Sequence, residues 1–104
     1  MAGNELWKSD GTAAGTVLVK DIVTTSYYYG SSSYPSGLTA VGGTLFFTAV
    51  TRDTGTELWK SDGTAAGTVL VKDINTDTFF GNPVGSNPGD LAAVGGVLLF
   101  RATD

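Results

Sequence analysis

Apolar residues in this chain fall in short runs separated by glycine-rich polar turns. Gly37 to Val41 ends at Gly42-Gly43, a pair able to adopt the positive φ values of a two-residue hairpin turn. Thr44 to Ala49 supplies the return strand, and its unbroken Leu45-Phe46-Phe47 predicts burial on both faces. Beyond a loop around Asp53-Thr54-Gly55, the two-residue period of a strand sets Leu58 and Lys60 on one side of Glu57-Leu58-Trp59-Lys60, and Glu57 and Trp59 on the other. Ser61-Asp62-Gly63-Thr64 predicts a turn, because Asp accepts from a backbone N–H two residues on and Gly supplies the left-handed position. Gly67-Thr68 then opens Val69 to Ile74, a run rich in β-branched residues. No segment has the apolar spacing of an amphipathic helix, and Ala13-Ala14-Gly15 is too short and glycine-flanked to start one.

This pattern occurs twice. Glu5 to Ile22, ELWKSDGTAAGTVLVKDI, recurs unchanged from Glu57 to Ile74, and LTAVGGTLFFTA at Leu38 returns as LAAVGGVLLFRA at Leu91. The offset is 52 residues through Ile74 and 53 from Leu91, which places a one-residue insertion in the variable stretch between, as expected of a surface loop. The order of the pieces makes each end half a unit. The expected organisation is an outer half-unit over 1–22, a complete four-stranded unit over 37–74 and an inner half-unit over 89–104, with connections over 23–36 and 75–88. Joining the tail RATD to the head AGNELW nearly recreates the internal TAVTRDTGTELW, so the repeat reads as circularly permuted, cut within a unit.

Composition agrees with one small all-β domain: 104 residues, 41% hydrophobic and 15% charged, with 15 glycines for tight turns. A net charge of −4 without a basic cluster argues against nucleic acid. The absence of cysteine excludes a disulfide framework and thiolate chemistry and leaves the redox compartment open. No run of eighteen apolar residues and no leader pattern stands in these residues, so neither a membrane span nor a signal peptide is expected. Met1-Ala2 reads as an expression start on an excised or engineered fragment.

Four short strands joined by hairpins, then a long connection to the next unit, is the pattern of a β-propeller blade. Glu-Leu-Trp-Lys-Ser-Asp-Gly-Thr-Ala-Ala-Gly-Thr, with LTAVGGTLFF upstream of its second copy, closely resembles the ELWxxDGTxxGT repeats of large bacterial proteins. The resemblance covers nearly the whole chain except its Tyr- and Phe-containing connections. It implies propeller blades and a bacterial parent of extracellular or cell-surface kind, and it carries no activity over. Propellers close with about four to eight blades, so two blades' worth per chain predicts closure by homo-oligomerisation, three chains first and four next. The expected partner is therefore the chain itself.

Leu6, Trp7, Leu58, Trp59, Phe46, Phe47, Leu99 and Phe100 are the expected packing residues within and between blades. Asp10, Gly11, Asp62 and Gly63 are expected turn residues rather than acids or metal ligands. Asp73 to Asp77 alternates oxygen ligands as a calcium loop does, but Thr78 stands where the EF-hand needs Gly and no bidentate acid follows, so no metal is expected. Lys8, Lys20, Lys60 and Lys72 are expected on solvated strand faces. Without His or Cys the usual general bases and thiol nucleophiles are missing, and the repeated acids Glu5/Glu57, Asp10/Asp62 and Asp21/Asp73 read as repeat framework. Neither an enzyme nor a cofactor is expected. The one candidate ligand surface is the divergent connections, with Tyr27, Tyr28, Tyr29 and Tyr34 in the first copy and Phe79 and Phe80 in the second.

Overall fold

The computed structural model describes residues 3–23 and 32–104. Within them the chain is all-β, with ten strands and no helix. Strands β3 (Ser36–Val41), β4 (Thr44–Thr51), β5 (Gly55–Ser61) and β6 (Val69–Lys72) form one four-stranded antiparallel sheet in sequential order. Strands β1 (Leu6–Lys8) and β2 (Val17–Lys20) form a two-stranded sheet, as do β9 (Gly89–Val94) and β10 (Val97–Arg101). None of these sheets closes on itself. The connection over 75–88 is not all loop, since Thr78–Phe79 (β7) and Asn82–Pro83 (β8) pair as a small hairpin turned at Phe80-Gly81. Period-two reasoning misses it because each strand is two residues long and one contains a proline.

The half-sheets match halves of the complete sheet. Trp7↔Leu18 and Lys8↔Val17 repeat Trp59↔Leu70 and Lys60↔Val69, and the irregularity after Leu58 recurs after Leu6. Val97↔Val94 and Leu98↔Ala93 repeat Thr44↔Val41 and Leu45↔Ala40.

Alternation gives the complete sheet two different faces. Leu45↔Ser61, Phe47↔Trp59 and Ala49↔Glu57 are opposed on one, and Phe46↔Lys60 and Thr48↔Leu58 on the other. The β1–β2 pair lies on the first face, where Leu6 and Val19 join Phe47 and Ala49 in the core, with Ile22, Leu45 and Trp59 packed around them. Two ties outside this core fix the arrangement: Lys8 Nζ donates to the Gly63 carbonyl at 2.8 Å and Lys20 Nζ to the Thr68 carbonyl at 3.0 Å. Lys8, Lys60 and Lys72 are exposed as expected and Lys20 is half-buried, while the ammonium groups of Lys8 and Lys20 reach carbonyls of the neighbouring sheet.

Trp59→Ala should lower unfolding free energy by about 3 kcal/mol in a denaturant titration, because the indole covers Phe47 and the β1–β2 residues. Phe80→Ala, at an 89% exposed side chain, should change it by less than about 0.5 kcal/mol.

Candidate functional site

The ELW strand carries its strongest chemistry at the glutamate. Glu57 is fully buried on β5, where its carboxyl accepts from the Ser86 hydroxyl, the Ser86 N–H at 3.0 Å and the Asn75 N–H at 3.2 Å. Glu5 does the same in the first copy, accepting from the Ser33 hydroxyl, the Ser33 N–H at 3.1 Å and the Ile22 N–H at 3.3 Å. Backbone bonds reinforce each clasp. The Asn4 carbonyl accepts from Ser33 and Tyr34, and the Thr56 carbonyl from Ser86 and Asn87. Tyr34 and Asn87 follow their serines with φ of 48° and 49°, a left-handed conformation that suits Asn better than Tyr. The serines then lead to the next sheet, since the Ser33 carbonyl accepts from Val50 N–H and the Ser86 carbonyl from Thr103 N–H, both at 2.8 Å.

A second carboxyl lies against the first. Burial, then a hydrogen bond to Glu57 and the charge of Glu57, push Asp73 above the ordinary carboxylate range. Oδ1 of Asp73 and of its counterpart Asp21 are both buried without a hydrogen-bond partner among the described residues, as is Nε1 of Trp59.

The SDGT segments form closed turns. Asp10 Oδ1 accepts from Thr12 N–H at 2.9 Å and from its hydroxyl at 2.6 Å, and Asp62 is bonded to Thr64 in the same way. Gly11 and Gly63 sit at φ of 93° and 95°. The second glycine of the motif is fixed by contact, because a Cβ on Gly15 or Gly67 would stand 2.0 Å from the aspartate Oδ1. The Thr12 and Thr64 hydroxyls, then their N–H groups, hold Asp10 and Asp62 below the ordinary carboxylate range, and the charge of Lys8 adds to this at Asp62.

Leu6, Phe47 and Leu58 are buried, Phe46, Trp59 and Phe100 half-buried, and Trp7 and Leu99 exposed at 56% each. Tyr27, Tyr28 and Tyr29 lie outside the described residues. Tyr34 is exposed, and Phe79 and Phe80 meet edge to face at 4.5 Å between centroids on the exposed β7–β8 hairpin. In the Asp73–Asp77 run the oxygens do not converge: Asn75 Oδ1 accepts from Asp77 N–H, Asn75 Nδ2 donates to the Gly85 carbonyl, and Asp73 faces Glu57. A groove of about 360 Å³ runs between β3 and β9, lined by Leu38, Thr48, Pro88 and Leu91. Its one acid, Asp90, is paired with Arg101 at 2.6 Å.

Ser33, Ser86 and Asn75 are the functional residues that the sequence reading missed. The available signal was Ser33-Tyr34-Pro35 against Ser86-Asn87-Pro88, a Ser-x-Pro repeated at the 53-residue offset inside the divergent connections. Comparison of the chain with known protein families, curated proteins and solved structures found no match. The functional reading therefore rests on the residues and their geometry.

Glu57→Ala should cost about 3 kcal/mol by chemical denaturation, because it leaves the buried Ser86 hydroxyl and the Asn75 N–H unpaired. Asp73 gives a pH dependence of opposite sign to the usual acid. With its pKa raised in the folded chain, the unfolded chain ionises first as pH rises, so folding is penalised progressively above the ordinary value of 3.8. Asp73→Asn removes that penalty, and its melting temperature relative to the parent should rise between about pH 3.5 and pH 7 in thermal scans.

Proposed function

We propose that this chain is a structural β-propeller repeat unit that assembles with copies of itself and has no catalytic activity. One observation carries the reading: the chain holds one complete four-stranded sheet and two half-sheets that match its inner and outer halves in sequence and in register. Strand β10 corresponds to β4 and β1 to β5, so the open edge of β10 in one copy fits the open edge of β1 in another. The β4–β5 register then sets the joint, with Phe100 opposite Trp7 as Phe47 is opposite Trp59, and Leu98 opposite Ser9 as Leu45 is opposite Ser61. The Thr103 N–H bond to Ser86 supports this alignment, because it repeats the bond of Val50 in the complete sheet. Bare strand edges are templates for pairing, and mutual completion removes two of them per joint.

Each chain would supply two blades, so head-to-tail joints close at about three chains for six blades or about four for eight. Ring membership accounts for the buried acids as framework and requires no cofactor. A carbohydrate- or protein-binding module on the same scaffold is the second reading, supported by the exposed edge-to-face pair of Phe79 and Phe80.

Light scattering on the 104-residue chain should give a discrete mass that is a small multiple of 10.7 kDa, three first and four next. Removing residues 89–104 should abolish that species and give aggregate or unfolded chain, because it strips β1 of its partner. A stable monomer at micromolar concentration refutes the reading, and an unchanged oligomer after truncation refutes the strand joint.

A further inference from the structure

The two identical segments serve as internal controls for each other, because their sequence is the same and only their neighbours differ. On the side of β5 and its turn that faces the β1–β2 pair, Trp59 is half-buried, Ser61 is 3% exposed and Thr68 fully buried. Their counterparts Trp7, Ser9 and Thr16 are all exposed. The reverse holds for the other side. Val19 is 8% exposed beneath the complete sheet, whereas its counterpart Val71 is 43% exposed. Lys8 and Lys20 hold the Gly63 and Thr68 carbonyls, whereas Lys60 and Lys72 make no such bond among the described residues. The chain thus makes one face-to-face contact internally and leaves Trp7, Ser9 and Thr16 exposed on one complementary half and Lys60, Val71 and Lys72 on the other, with Leu58, the counterpart of Leu6, already buried.

We infer that a second copy of the chain fills this site, with Lys60 and Lys72 of one molecule reaching the Gly11 and Thr16 carbonyls of the next while Trp7 is covered by the β5–β6 surface that carries Val71. The inference rests on the assembly reading above and adds a contact that strand pairing alone does not require. Its chemistry is the one seen within the chain: two ammonium groups set on carbonyls at the rim of an apolar patch. A groove of about 280 Å³ beside Lys60, walled by Thr44, Ala66 and Val69, receives the incoming Ser9–Thr16 turn. That turn has the same hydrogen bonds as its counterpart at Ser61–Thr68, so it is formed before docking. Preorganisation of this kind lowers the ordering cost of association.

The test is zero-length carbodiimide cross-linking of the full chain, read by peptide mass spectrometry beside light scattering. Lys8 should link to Asp62 within each molecule, as a control. Lys60 should link to Asp10 between molecules, and Asp10→Asn should remove that link. The double variant Lys60→Glu, Lys72→Glu should keep its β-sheet circular dichroism and weaken association at least tenfold. An oligomer with no Lys60–Asp10 link overturns the contact and leaves the strand joint standing, as does a double variant of unchanged mass. A monomeric parent chain overturns both readings. Should the double variant not fold, the cross-link in the parent chain decides the matter alone.

Discussion

The step from one sheet to the next depends on a single buried carboxyl. Glu57 binds the end of the segment leaving β6, through Asn75, and the start of the segment entering the next sheet, through Ser86, while being fixed itself on β5. An ionised carboxyl without partners is costly to bury, and three donors offset that cost only if all three are in place. The clasp is therefore a geometric condition as well as a bond: the connection closes correctly or leaves a buried acid unpaired. Glu5, Ile22 and Ser33 impose the same condition in the first copy. Equal clasps favour equal steps between successive units, the property needed when repeats accumulate around an axis.

With that step fixed, coverage follows from counting neighbours. The β1–β2 pair covers one face of the complete sheet, and β9 lies alongside β3. Nothing within the described residues covers Trp7, and Val71 is left open. Local sequence cannot be the cause, because Glu5–Ile22 and Glu57–Ile74 are identical. The difference is positional: the same tryptophan is half-buried where a second sheet lies against it and exposed where none of the described residues does.

Much of this was legible in the residues. The alternation of Glu57-Leu58-Trp59-Lys60, the Gly42-Gly43 hairpin and the Ser-Asp-Gly-Thr turn are local signals, and each appears at its expected place. The strands run longer than their apolar cores, with β4 reaching Thr51 and β5 starting at Gly55, because the ladder continues through polar residues that have no hydrophobic signature. The pairing in the clasp has no local pattern, since its carboxyl and hydroxyl stand 29 residues apart, and only the repeated Ser-x-Pro marked one side of it. The two lysine ties were not legible for a related reason. Their pattern is that of solvated residues, and only the neighbouring sheet places a carbonyl within reach of Lys8 and Lys20.

The carboxyls divide into two classes, and the division separates the turns from the region beside the clasp. Asp10 and Asp62 are held low by their threonines, and the stability they contribute is present above the ordinary carboxylate range and lost only as pH falls through their lowered values. The turns they close present the Gly11 and Gly63 carbonyls, and Lys8 binds the second of these. Asp73 is shifted the other way by burial and by Glu57, so the carboxyl beside the clasp and the carboxyls of the turns respond to pH with opposite sign.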